Sequence, residues 1–362
     1  MRLEKIPELD EPETVEHICA YYLSHVIKRS QDWIQQHSAD LFKNQTVHWS
    51  LNVGVPVEYC DSPALERFER VLRLAWLMAN TPSSERSFNL SELNQFGSFL
   101  REWLQQNLEQ ALDCFTTPEI SAAVWSFLSS REAQEKFYTF FDVGEGTLDG
   151  AAFRFWREND GDRKVDFFAG AVRSLGVTAF TQQLASELAV SSNEVCDALR
   201  AWRHADHNHE EIYSQIKKSR TYLRFQRLIA AVVIVGKNKQ QDNLGRLLSQ
   251  EKLGQNLEVF LGGGGGQNLF IQNIVQSTHE DFQHERAGVP KYKMQSVPKP
   301  KGLEMNGLNT QEFHRFSVAY GLCTPQWEGP EIRLPSQIET QDDDDDAVVV
   351  NKPEKYFADT KD

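Results

Sequence analysis

The feature that most limits how this chain can fold is a run of strand, turn, strand, turn and strand between Phe137 and Ala169. Phe137 to Val143 reads as a strand and stops at Gly144-Glu145-Gly146-Thr147. Asp149 to Trp156 follows, with Phe153 and Phe155 on one face, and Glu158 to Asp162 is a second turn signal. Arg163 to Ala169 then reads as a third strand. Two turns joining three consecutive strands make an antiparallel meander. Residues 178 to 203 return to helix. In residues 212 to 235, Val232 to Val235 has strand propensity. Phe225, Leu228, Ile229, Val232 and Val235 nevertheless keep a helical stripe, so the spacing predicts a long helix. Leu257 to Leu261 reads as a short buried strand running into Gly262 to Gly266, and Asn268 to Gln276 as a helix directly after that loop.

The flanks are less ordered in pattern. Residues 14 to 36 read as an amphipathic helix, and Thr46 to Val57 as a strand that Pro56 ends or confines to an edge. A second helix opens at Asp61-Ser62-Pro63 and runs through Met78, and residues 91 to 114 look helical again. Pro290 to Pro300 reads as a loop and Thr310 to Leu322 as a short helix. The tail after about Ile338 is expected to be disordered, because Asp342 to Asp346 is an unbroken, self-repelling acidic run.

With 362 residues, 40% of them hydrophobic, the chain has material for two domains or one elaborate one. A net charge of -14 argues against a whole-chain field for nucleic acid. The five cysteines form no CxxC pair, which suggests buried free thiols in a reducing cytosol. The charged start at Met1 is unlike a signal peptide, and the longest apolar run, Leu228 to Val235, is too short to span a bilayer. The expectation is therefore a cytoplasmic protein with no membrane and no nucleic-acid partner. His204 and His207, three apart, have the spacing of a helical metal pair, but the run around them reads as a polar helix end.

Two glycine features carry the chemistry. The turn Asp142 to Asp149 lets a backbone approach an anion and point its N–H groups inward, and Thr147 adds a hydroxyl. Asp142 and Asp149 flank the turn, where they suit a hydrated Mg²⁺ held against phosphates. An ordinary hairpin with two solvated acids reads equally well. The second feature, Phe260-Leu261 followed by Gly262 to Gly266, suits a nucleotide at a helix N-terminus. A flexible linker is the alternative, though the apolar strand before it and the helix after it argue otherwise. No Gly-Lys-Ser/Thr follows, so this is not a Walker A loop.

The order of these motifs resembles the actin-like ATPase superfamily, which includes actin, DnaK-type chaperones and sugar kinases. Asp142 to Asp149 resembles the chaperones' second phosphate hairpin, with Glu145 in place of a glycine. Val259 to Gly264 resembles the adenosine motif. Pro118-Glu119-Ile120-Ser121-Ala122-Ala123 resembles the first connecting helix, with Pro and Glu reversed, and Arg315 to Gly321 the second. Asn52 to Pro56 resembles a strand that precedes a helix in the first domain. The small residues Ala122, Ala123, Ala319 and Gly321 would let two helices cross closely.

The resemblance implies an α/β, two-lobed, ribonuclease H-like fold. Partial domain I would occupy 1–130, domain II 131–306, a returning connecting helix 307–322, and an acidic tail 323–362. It implies a chaperone-like ATPase that binds ATP or ADP with Mg²⁺ and works with partner proteins or a second copy. Gly144, Gly146 and Thr147 would meet the phosphates, and Gly262, Gly263 and Gly264 would pass beneath the adenosine. Asp142 and Asp149 would act on hydrated Mg²⁺, and Glu119 would position water or the metal. No glycine precedes Gly54, so the family's first phosphate loop has no counterpart and the first lobe is expected to be incomplete. A truncated start, a second chain supplying the loop, and a non-hydrolysing relative all fit. The chain alone is expected to hydrolyse ATP weakly or not at all. A nucleotide-gated filament protein and a pseudo-ATPase scaffold are the rival readings.

Overall fold

The structure, a computed structural model, describes residues 11–338 apart from 41, 44, 83–85, 108–111, 203–209, 251–255 and 326–327. The histidine run and the acidic run named above lie outside the described residues. The chain divides into two compact units: one of Met1–Val55 and Ser62–Thr117, the other of Pro56–Asp61 and Pro118–Asp362.

The first unit contains α1 (Pro12–His37) and β1 (Leu51–Val55). After the segment that leaves for the other unit, α2 (Val57–Cys60), it continues with α3 (Leu65–Ala79), α4 (Leu90–Gln106) and β2 (Cys114–Pro118). Its helices close on a core that includes Ala20, Ile27, Leu74, Met78, Leu93 and Leu100. Glu16, only 4% exposed, accepts hydrogen bonds from Arg67 and Arg70 of α3 and Arg101 of α4. Burial by itself raises the Glu16 pKa, but the bonds from Arg70 and Arg67 outweigh it and hold the carboxyl below its ordinary value. β1 pairs only with β2, in a two-stranded sheet. Two readings change here. The strand begins at Leu51 rather than Thr46, and the helix expected to reach 114 ends at Gln106. The segment Cys114 to Thr117, with aromatic Phe115 and β-branched Thr116 and Thr117, goes into β2 instead and partners β1.

The second unit is built on a six-stranded sheet. Its strands are β3 (Lys136–Val143), β4 (Leu148–Arg157), β5 (Arg163–Arg173), β6 (Leu257–Gly262), β7 (Tyr292–Ser296) and β8 (Glu331–Arg333), in the order β7-β6-β3-β4-β5-β8. β3, β4 and β5 form the antiparallel meander, while β6 runs parallel to β3 and β7 parallel to β6. One face packs against α6 (Val177–Leu188), α7 (Ser192–Ala201), α8 (Glu210–Lys218), α9 (Arg220–Gln250) and α10 (Leu269–Asp281). The other face packs against α5 (Glu119–Leu128) and α11 (Ser317–Leu322). On this second face Tyr138, Phe140, Phe153, Phe167 and Phe260 are all at most 1% exposed. Each such ring contributes about 1.5–3 kcal/mol by leaving water.

α5 and α11 cross so tightly that a side chain at Gly321 would run into the backbone of Ala122. A meander continued by two parallel strands, with helices on both faces and a close helix crossing, is the ribonuclease H-like arrangement of the actin-like fold. The second unit has that arrangement.

Several boundaries differ from expectation. The first unit ends at Thr117, not near 130, because Ile120, Val124 and Leu128 of α5 are buried in the second unit's core. The helix expected over 178–203 breaks at Ala189, which takes φ 56°, and restarts with Ser191 accepting from the Glu194 amide. The helix expected over 212–235 breaks at Ser219, whose hydroxyl accepts from the Tyr222 amide, before α9. Pro290 to Pro300 contains β7, and the expected tail contains β8, which Arg333 ties to buried Asp166. No helix of the described residues is long and apolar enough to cross a membrane.

Candidate functional site

The site is built at the carboxyl end of β3. Strand parity sends Phe141 and Val143 to the α6–α10 face and Phe140 to the α5 face. Asp142 follows Phe140 in parity, and its register partners are Asp149 on β4 and Gly262 on β6. One position thus joins the meander turn to the glycine loop, where two parallel strands end side by side. Such ends are where ligands bind in open α/β sheets.

Asp149 is 4% exposed, and neither carboxylate oxygen has a hydrogen-bond partner. Burial drives its pKa well above the ordinary value, and the charges of Glu119, Asp142 and Glu58 add to that. Glu119, the first residue of α5, is pushed up to about 7 by burial and then by Asp142. Asp142 is pushed up to about 6 by burial. Among the described residues no cationic side chain acts on Glu119 or Asp142. Among the described residues no three acidic, histidine or cysteine side chains converge closely enough to chelate a metal directly. The unpaired Asp149 carboxylate and its acidic neighbours instead fit a cation that keeps its water shell, as Mg²⁺ usually does.

The turn above these acids is fixed from behind. The amides of Val177 and Thr178, in the first turn of α6, donate to the carbonyls of Gly144 and Glu145 at 2.9 Å, and that of Gly176 to Gly146 at 3.2 Å. In a trans peptide the N–H points opposite to the C=O of the same plane. Three carbonyls turned toward α6 therefore turn the amides of Glu145, Gly146 and Thr147 away from it. These residues are exposed to solvent. Consecutive amides aimed the same way form an anion-binding nest. Gly176 lets the turn sit so close, because a side chain there would lie 2.5 Å from the Thr147 nitrogen.

The glycine loop is ordered, not a linker. Gly263 takes φ 71°, and a side chain on it would strike the Asp142 carboxylate. Gly264 and Gly146 differ: a side chain at either would meet nothing within 4 Å. Packing leaves these two glycines unexplained. The expectation that the loop feeds an open helix N-terminus needs correcting. Gly264–Gln267 forms a short 3-10 turn, and Asn268 Oδ1 caps α10 by accepting from Phe270 and Ile271 at 2.9 and 3.2 Å. The loop offers close approach, not helix-end amides.

All the site residues read from the sequence thus belong to one unit. Asp142, Asp149 and Gly262 are register neighbours, Gly263 abuts Asp142, and Glu119 lies close enough to act on both aspartates. Sequence reasoning missed Glu58, whose carboxylate holds the Val172 amide and Arg173 and adds charge beside Asp149. It also missed Cys60, whose thiol is pushed up to about 12 by burial and then by Asp149. Gly176 and Thr178 were missed as well. The one available signal was Pro56, which marks where the chain turns into this segment.

No protein-family model and no curated protein matches the chain. Solved structures do. The ethanolamine utilization protein EutJ from Carboxydothermus hydrogenoformans is 15% identical with a TM-score of 0.30, over 58% of this chain and 57% of that one. A pCBH ParM non-polymerisable quadruple mutant is 13% identical with a TM-score of 0.38, over 75% and 66%. MreB5 of Spiroplasma citri bound to ADP is 14% identical with a TM-score of 0.34, over 61% and 63%. The chain spans less than two thirds of the length of each. The overlaps are partial, and the fold stated above rests on the chain's own strand order and helix crossing.

Proposed function

We propose that the second unit binds an adenine nucleotide with Mg²⁺. The observation that carries this reading is the pairing, across one turn, of an anion nest with a buried carboxylate that has no partner. An anion alone would leave Asp149 unpaired and would be repelled by three acids. A cation alone would leave the nest empty. A phosphate-bound divalent cation satisfies both.

In this reading the amides of Glu145, Gly146 and Thr147 hold phosphate oxygens, and Gly144 and the Thr147 hydroxyl lie beside them. Asp142 and Asp149 accept hydrogen bonds from water bound to the cation. Glu119, near neutrality in its proton affinity, holds or releases a proton at its carboxyl and orients a water. Gly262, Gly263 and Gly264 pass beneath the adenosine. Mg²⁺, when bound, neutralises charge on the phosphates. Catalysis in this reading is positioning and electrostatics, and hydrolysis depends on further phosphate donors of the kind that the resemblance assigns to a first phosphate loop. The role with partner proteins or a second copy belongs to the same proposal.

Titration calorimetry with ADP and ATP, each with Mg²⁺ or EDTA, tests it. Binding that needs Mg²⁺ and weakens at least tenfold in Asp149→Asn is the expected result. A folded protein that binds neither nucleotide with Mg²⁺ overturns the reading. Sedimentation with and without ATP tests the filament alternative.

A further inference from the structure

Glu145 stands in the phosphate turn as a charged residue among glycines. Its carbonyl accepts from the Thr178 amide at 2.9 Å, and its carboxylate Oε1 from the Thr178 hydroxyl at 3.4 Å. The carboxylate is therefore parked at the first turn of α6, where an acidic group is favoured by the helix dipole. It lies behind the nest, not across it, so the amides stay open.

An anion on those amides nevertheless meets a like charge one residue away. The surroundings do not offset it. Among the described residues no cation acts on Glu119 or Asp142, and Asp149 is acted on by further acids. Among the described residues, Arg173 stands opposite Leu148 beside the turn, but its guanidinium is held by the Glu58 carboxylate at 3.0 Å, which leaves peptide dipoles and a bound cation to oppose the charge of a phosphate. Each further negative charge on the ligand is thus poorly compensated.

On the basis of the nucleotide reading, we infer that Glu145 is a specificity-determining residue that makes the site prefer a metal-complexed nucleoside diphosphate over the triphosphate. The terminal phosphate of the triphosphate adds charge at the turn, where Glu145 penalises it. The diphosphate carries one charge fewer with the same metal. One added like charge at a partly screened site is expected to cost about tenfold in affinity.

The experiment is equilibrium binding of ADP and ATP, with Mg²⁺ and with EDTA, to the full chain and to Glu145→Gln and Glu145→Gly. The turn is exposed, and melting curves confirm that the variants fold. The full chain is expected to bind Mg-ADP about tenfold tighter than Mg-ATP. Both variants are expected to narrow that ratio to about twofold by tightening ATP, and higher salt is expected to narrow it in the unaltered chain alone. Equal affinity for the two nucleotides in the unaltered chain, or a preference that the variants leave unchanged, overturns the inference and spares the nucleotide reading. Absence of binding by all three proteins overturns both.

Discussion

A carboxylate with both oxygens cut off from water and with only the neighbouring Gly150 amide to favour its charge is costly to keep, and Asp149 is kept that way between two strands. Its own proton lowers the cost. In the folded chain Asp149, Asp142 and Glu119 all hold their protons more tightly than unfolded carboxyls, which titrate near pH 4. The folded state therefore binds more protons than the unfolded state across this window, so stability falls as pH rises. For Asp142 and Glu119 that favourable effect is complete below about pH 4 and is lost as the pH rises through about 6 and about 7, and Asp149 acts in the same direction. Without metal, urea midpoints are expected to drop between pH 5 and 8 by the equivalent of about 2 kcal/mol, discounted for partial solvent access. Mg²⁺ with nucleotide should reverse the drop, since it favours the ionised form. Asp149→Asn should flatten the profile and remove that rescue. A metal-free stability that rises over the same range would mean that these acids are paired in solution.

At the scale of elements, the glycines separate into those the fold needs and those it does not. Gly321→Ala puts a methyl into the backbone of Ala122 where α11 crosses α5, and is expected to cost about 3 kcal/mol or more in denaturant unfolding. Gly264→Ala meets nothing, and should leave the melting temperature within about 2 °C while weakening nucleotide binding. If Gly264→Ala binds nucleotide normally, the adenosine does not pass there. Much of this architecture is legible in local pattern. The meander shows as alternation punctuated by turns, the glycine loop as a break after an apolar strand, and the crossing as small residues in two helices. The missed elements lack such patterns. β7 is a polar edge strand between prolines, with Lys293 exposed, and β8 has only three residues. The helix break at Ala189 depends on an alanine in a left-handed conformation that nothing in its identity announces. The turn's anion-binding geometry is set by Gly176 to Thr178, some thirty residues downstream, so the turn's own sequence could suggest it but not fix it.

For the molecule as a whole, the expected activity follows from what the first unit contains. Its sheet has two strands, with no meander among the described residues to carry a second phosphate turn. ATP turnover by the purified chain is expected to be slow or absent, since losing even one oriented donor costs about 10²–10³ in rate. Robust hydrolysis that Asp142→Ala abolishes would show that the missing donors are supplied in another way. The path of the chain has a consequence of its own. It leaves the first unit after Val55, gives Pro56–Asp61 to the second, and goes back until Thr117. Val57 packs on Gly170, and Glu58 takes the amide of Val172, which lies 114 residues further on. During translation at about 5–20 residues per second, that partner is made roughly ten seconds after Glu58. The helices around Leu74 have all their material by then, while the hexapeptide between them waits for a strand that does not yet exist. Cutting the gene at Pro118 would not release a clean domain. It would discard the acid beside Asp149, the part of the site made first and used last.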